Sequence, residues 1–171
     1  NICFFGDSLT AMGYITKYIK DKLIEWGLTN TKLVGANTNL DDDDNKFTAT
    51  GGYSWDNYTK DPSELPSDFR VNHLWDSSIN DISFRYFMQE YGNGESIDYA
   101  VVLLGWNDYD MRTTTWTDYN TEGIAAIERK VRKFIGKFHE QYPSGQIVLV
   151  GYHVATTTER RPHPQNNIVN V

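Results

Sequence analysis

The run Tyr99-Ala100-Val101-Val102-Leu103-Leu104 constrains the fold most. It is uncharged, short and stopped by Gly105, the pattern of a strand buried on both faces. Two other runs also read as strands, the first of them buried. Asn1-Ile2-Cys3-Phe4-Phe5 stops at Gly6, and Gln146-Ile147-Val148-Leu149-Val150 follows the turn Pro143-Ser144-Gly145. Lys32-Leu33-Val34-Gly35 is a weaker strand. Amphipathic segments separate them. From about Ala11 to Trp26, Ile15, Ile19, Leu23 and Trp26 recur at spacings of four, four and three, with Gly27 placed to end the helix. Ser83 to Tyr91 carries Phe84, Phe87, Met88 and Tyr91 on one side, before the breaker Gly92-Asn93-Gly94. Ile124, Ile127, Val131, Phe134 and Phe138 mark a long helix. Buried strands alternating with such helices imply a mostly parallel sheet covered on both faces, an α/β architecture. Ligands in such sheets bind beyond the carboxyl ends of the strands. Asp7-Ser8, Asn107-Asp108 and Tyr152-His153 fall at three of those ends.

At 171 residues, the chain suits one core and is too short for two comfortable domains, so 1–171 is expected to form a single domain. Its carboxyl end looks unfinished. Ala155 to Val171 is mostly polar, holds Arg160-Arg161-Pro162-His163-Pro164, and shows no strand pattern before Ile168-Val169. The chain opens inside a strand without an initiator Met, so a cut upstream is expected. No signal peptide or transmembrane stretch is legible. The net charge of -7 argues against a nucleic-acid footprint. Cys3 is the only cysteine, which excludes an intrachain disulfide and a cysteine metal cluster and suggests buried filler. Asp41-Asp42-Asp43-Asp44 reads as an exposed loop, because adjacent carboxylates repel. It lacks the alternating ligand spacing of a calcium loop. Phe47 to Tyr58 reads as a loop leading into a short helix. Asn57-Tyr58-Thr59 fits a glycosylation sequon.

Ser8 follows a buried strand and precedes a helix. Such a turn exposes a hydroxyl at the sheet rim, and the helix start offers backbone N–H groups to an oxyanion. An N-cap role for Ser8 or Thr10 explains the position equally well. Asp7 is too close in sequence to serve as the base of Ser8 and is better used to fix the turn through loop N–H groups. The Asn107 amide can donate to an oxyanion, or it can satisfy loop backbone. Asp108 suits bracing of that loop. His153, past a strand end, and His163, between two prolines, are the candidate bases. His139 lies beside the apolar stripe of the long helix. His73 stands in the loop Asn72-His73-Leu74-Trp75. Neither Gly-x-Gly-x-x-Gly nor the Lys-Ser/Thr phosphate loop occurs, which weakens a phosphate-binding reading of the glycines near Gly51.

These positions resemble the GDSL, or SGNH, hydrolases. Gly6-Asp7-Ser8-Leu9-Thr10 matches the block that carries their serine nucleophile. Gly105-Trp106-Asn107-Asp108 matches the Gly-x-Asn-Asp block, whose Asn is an oxyanion-hole donor. Phe47-Thr48-Ala49-Thr50-Gly51-Gly52-Tyr53-Ser54-Trp55 is similar, more loosely, to the middle block. That register puts the oxyanion N–H on Ala49, with Gly51 the rival. Asn72-His73-Leu74-Trp75 resembles an Asn-Pro-Phe-Trp stretch of some members. The family base comes from an Asp-x-x-His block, and no Asp follows Asp118 here. The block is therefore expected beyond Val171, with use of His163 or His153 as the alternative.

The resemblance implies a three-layer α/β/α sandwich of flavodoxin-like type. It also implies ester hydrolysis through an acyl-enzyme on Ser8, with no metal or organic cofactor. A small-molecule or carbohydrate ester is the implied substrate, for which Tyr53, Trp55, Trp106 and Trp116 could supply flat surfaces. A non-catalytic carbohydrate-binding or degenerate hydrolase module is the other reading, suggested by the missing Asp-x-x-His.

Overall fold

The computed structural model describes residues 1–39, 41–105, 107, 108 and 121–150, with 121–124 as backbone only. Its centre is β1 (Ile2–Gly6), which is paired on both edges. One edge carries two strands in succession. Ile2 and Cys3 pair with β2 (Leu33–Val34), then Phe5 and Gly6 pair with β4 (Asp42–Ala49). The other edge pairs along its whole length with β7 (Tyr99–Leu103), which in turn pairs with β8 (Gln146–Leu149). All of these pairings are parallel. The antiparallel exception is β3 (Asn37–Asn39) on β4. The order β3-β4-β1-β7-β8, with β2 also on β1, makes a mostly parallel sheet of six strands among the described residues. A separate two-stranded ribbon joins β5 (Trp75–Asp76) to β6 (Asp81–Ile82).

Alternation along β1 sends its side chains into two cores. Cys3 and Phe5 enter the larger one. There Phe84 and Phe87 of α3 (Phe84–Tyr91) and Phe134 of α4 (Thr121–Gln141) surround Phe5, and Phe138 of α4 packs on Phe84. Phe5 lies edge to face with Phe84 at 6.0 Å and with Phe134 at 5.5 Å, an arrangement that adds attraction beyond burial. Phe4 enters a smaller core with Leu33, Phe47 and Ala49. This one is covered by Ala11 of α1 (Ser8–Ala11) and Ile19 of α2 (Tyr14–Glu25). Helices thus flank the sheet on both faces. Cys3 is fully buried, and burial pushes its thiol far above the ordinary range, so it stays a neutral packing group.

Three expectations need correction. The helix expected from Ala11 to Trp26 is two helices, because Gly13 takes a left-handed φ of 75° between them. The first begins at Ser8. Trp26 is 69% exposed and does not extend the apolar stripe. The acidic run is not a loop. Asp42 to Asp44 lie in β4, where Lys20 Nζ sits 2.6 Å from Asp42 Oδ1 and the neighbouring carboxylates face solvent. Buried Asn45 ties this hairpin to the helix break, donating to Gly13 O at 3.0 Å and accepting from Thr16 Oγ1 at 2.6 Å. Finally, Asn57 of the sequon is buried, with its amide donated to Phe69 O at 3.0 Å. A sugar there would have to displace that bond.

Two further expectations concern side chains that close the larger core. Phe134→Ala should lower the unfolding free energy by about 3–5 kcal/mol in urea titration, because Phe134 is fully buried among four rings. Asp81 carries a pH signature. Burial raises its pKa, but hydrogen bonds from Lys133 and Lys137 on α4 win and hold it at about 2. A folded pKa below the unfolded one gives stability present above about pH 4 and lost as pH falls toward 2. The difference in unfolding free energy between the wild type and Asp81→Asn should therefore be largest at neutral pH and shrink over that window.

Candidate active site

The chain runs from β1 to β2, β3 and β4 on one side of the sheet, then crosses to β7 and β8 on the other. The carboxyl end of β1 is therefore the topological switch point, where the segments leaving β1, β4 and β7 must diverge and open a crevice. Ser8 follows β1, Gly51 follows β4 and Asn107 follows β7. Three segments far apart in sequence thus meet at one rim.

Ser8 is exposed, and it is the first residue of α1 rather than its cap. The cap is Asp7, buried, whose carboxylate accepts the Leu9 N–H at 3.0 Å. Behind this turn, Gly6 must lack a side chain, because a Cβ there would lie 2.5 Å from Thr10 Cβ. The opening Gly-Asp-Ser-Leu-Thr segment therefore has a separate mechanical reason for each of three residues. Gly6 admits Thr10, Asp7 caps α1, and Ser8 is left facing outward.

The loop after β4 lies against Ser8. A Cβ built on Gly51 would sit 3.9 Å from Ser8 Cβ, which is ordinary contact. Gly52, at φ 85°, is the residue that needs to be glycine, since a Cβ would press into the Phe69 ring at 2.5 Å. Ala49 is buried in β4, and its N–H is donated to Asn37 Oδ1 at 3.1 Å. That donor is already in use. Of the two backbone positions considered for oxyanion contact, Gly51 is the one shown against the serine.

The end of β7 grips the same loop. Asn107 Nδ2 donates to Tyr53 O at 2.7 Å, and the Asp108 carboxylate accepts the Trp55 N–H at 2.9 Å. The Asp108 side chain is almost wholly buried, and this desolvation raises its pKa against the opposing pull of Trp55 N–H and Lys130. Lys130 of α4 lies 2.8 Å from Asp56 and 3.4 Å from Asp108. Burial also disfavours charge on Asp56, but ion pairs with Lys130 and Lys60 outweigh it and lower its pKa. The segment from Gly51 to Asp56 is thus held by Ser8's neighbourhood on one side and by β7 and α4 on the other.

Tyr53 and Trp55 are buried in the larger core, so they do not provide the flat sugar platform considered for them. Trp106, Trp116, His153 and His163 lie outside the described residues. Of the other histidines, His73 Nδ1 is 2.9 Å from the Tyr91 hydroxyl, and burial lowers its pKa. His139 is exposed on α4. Among the described residues, no group of three His, Cys, Asp or Glu side chains is placed to hold a metal ion, and no helix is long and apolar enough to cross a membrane.

Sequence reasoning missed Asn37, Tyr58 and Lys130. Lys130, Lys133 and Lys137 do recur at helical spacing, and that stripe was a usable signal that one flank of α4 meets carboxylates. Asn37 and Tyr58 act through bonds to distant backbone and leave no local pattern.

No family model matches the chain, and no curated protein matches it. A solved structure does: the crystal structure of a carbohydrate esterase family 3 from Talaromyces cellulolyticus. The match has a TM-score of 0.53 and 13% identity, and it covers 86% of this chain and 59% of that one. At that identity the likeness is one of fold, and this chain spans well under two thirds of the other's length.

Asp108→Ala should lower the unfolding free energy by about 3 kcal/mol, the low end for removing one partner of a buried ion pair because Lys130 keeps Asp56. Urea titration at neutral pH measures it.

Proposed function

We propose that this chain hydrolyses carboxylic esters through an acyl-enzyme on Ser8, acting on a carbohydrate or short-chain acyl ester. The observation that carries the reading is that Gly51 lies against Ser8 at the switch point of the sheet, in the loop that Asn107 grips through Tyr53 O. Ser8 would attack the ester carbonyl. The negative charge that develops on the carbonyl oxygen would be held by the N–H groups of Ser8 and Gly51 and by the Asn107 amide. That amide has two N–H donors; Tyr53 O takes one, which fixes the side chain, and in this scheme the second would serve the oxyanion. Ala49, the first choice for the middle donor, is replaced by Gly51 in this scheme because Asn37 holds the Ala49 N–H.

A histidine would take the Ser8 proton and return it to the leaving alcohol; water would then release the acid by the same steps in reverse. His163 and His153 are the candidates within the sequence. No metal or organic cofactor enters the scheme. The fold likeness to a carbohydrate esterase supports the choice of an acylated carbohydrate. The second reading is a carbohydrate-binding or degenerate hydrolase module without turnover.

In the full-length protein, Asn107→Ala should keep its melting temperature within a few degrees and lose about 10²–10³ in kcat on p-nitrophenyl acetate, the cost of one oxyanion donor. Normal turnover in that variant removes Asn107 from the mechanism. Affinity for an acetylated glycan with no turnover in the wild type supports the binding module instead.

A further inference from the structure

Tyr58 is fully buried at the end of the short 3-10 turn Trp55–Tyr58. Its ring packs edge to face on Phe5 at 5.8 Å and on Tyr53 at 5.7 Å. A phenylalanine would fill that space equally well. The hydroxyl has a separate purpose, because burying an O–H is unfavourable unless it is bonded. All three of its partners are backbone groups at the ends of two strands. It accepts the Gly6 N–H at 3.1 Å, and it lies 2.8 Å from Gly6 O and 2.6 Å from Thr48 O, donating to one of these at a time.

Gly6 stands two residues before Ser8, and Thr48 stands three before Gly51. The register Phe5↔Thr48 and Gly6↔Ala49 is the last pairing of β1 and β4 before they separate. Where two strands splay, their ladder groups lose each other as partners, and the Tyr58 hydroxyl fills that gap. The same turn begins at Trp55, whose N–H is held by Asp108 beyond β7. One side chain therefore touches the ends of β1 and β4 and is anchored, three residues back, to the end of β7. Burial pushes its phenol well above its usual pKa, so the hydroxyl stays protonated and can both donate and accept.

We propose that Tyr58 is a positioning residue that sets the Ser8 turn against the Gly51 loop through its hydroxyl, without touching substrate. The proposal rests on the ester-hydrolase reading above. A displacement of about 1 Å at a reacting group lowers turnover by orders of magnitude while leaving substrate affinity almost intact.

The test compares the full-length wild type, Tyr58→Phe and Ser83→Ala on p-nitrophenyl acetate, with thermal melts of each. Ser83 caps α3 through the Tyr86 N–H at 3.1 Å and serves as a destabilised control away from the three strand ends. Tyr58→Phe should lose about tenfold or more in kcat with KM within about twofold, and Ser83→Ala should keep kcat at a comparable loss of melting temperature. A kcat for Tyr58→Phe within about twofold of wild type overturns the proposal, as does an equal loss in Ser83→Ala. If Tyr58→Phe does not fold, Phe5→Leu, which keeps the hydroxyl but loosens the ring beneath it, should lose kcat several-fold at constant KM. Unchanged kcat there overturns the proposal. No turnover in the wild type defeats the hydrolase reading, and the proposal with it. Turnover in the wild type with an unaffected Tyr58→Phe defeats the Tyr58 role alone.

Discussion

Everything at the rim of this sheet depends on how β1 is held. It is paired on both edges and sends Cys3 and Phe5 to one core and Phe4 to the other. A strand fixed on four sides cannot shift, because a slip of one residue would exchange the two cores. Its carboxyl end is consequently a fixed point from which Ser8 projects. The strands beside it, β4 and β7, end level with it, as the pairs Gly6↔Ala49 and Gly6↔Leu103 show. Loops leaving three level strand ends have to share one crevice.

The crevice is then stiffened by polar bonds rather than by apolar packing. Asn107 and Asp108 grip backbone groups on either side of Ser54, Asp7 caps α1, and Asn37 holds the N–H of Ala49. Lys130 balances Asp56 and Asp108 from α4. Such directed bonds fix orientation as well as distance, which is what stabilisation of a developing charge requires.

The elements that were legible in the sequence are those whose signal is local. Tyr99 to Leu104 and Gln146 to Val150 announced strands because continuous apolar runs have few other uses, and β7 and β8 fall within them; β7 is mostly buried, whereas Val148 and Leu149 of β8 are exposed. Ser83 and Gly92 bracket α3 as cap and breaker. Less legible was whatever depends on a distant partner. The acidic run makes a strand only because Lys20 faces Asp42 and Asn45 reaches the break at Gly13. That break was hidden by a hydrophobic period that continues through it. At the site, strand-end positions drew attention to Ser8 and Asn107, and Gly51 entered only as the rival of Ala49 in the resemblance. The donor already taken at Ala49 and the hydroxyl bridge of Tyr58 depend on contacts spanning 12 and 52 residues of sequence, and no spacing rule encodes them.

The central claim is that Ser8 is a nucleophile at the switch point. Treatment of the full-length protein with a fluorophosphonate ester, followed by peptide mapping, tests it directly. The account predicts a single phosphonyl adduct on Ser8, absent from Ser8→Ala and slowed in Asn107→Ala. A folded wild type that takes up no phosphonate at Ser8, or carries it on another serine, contradicts it.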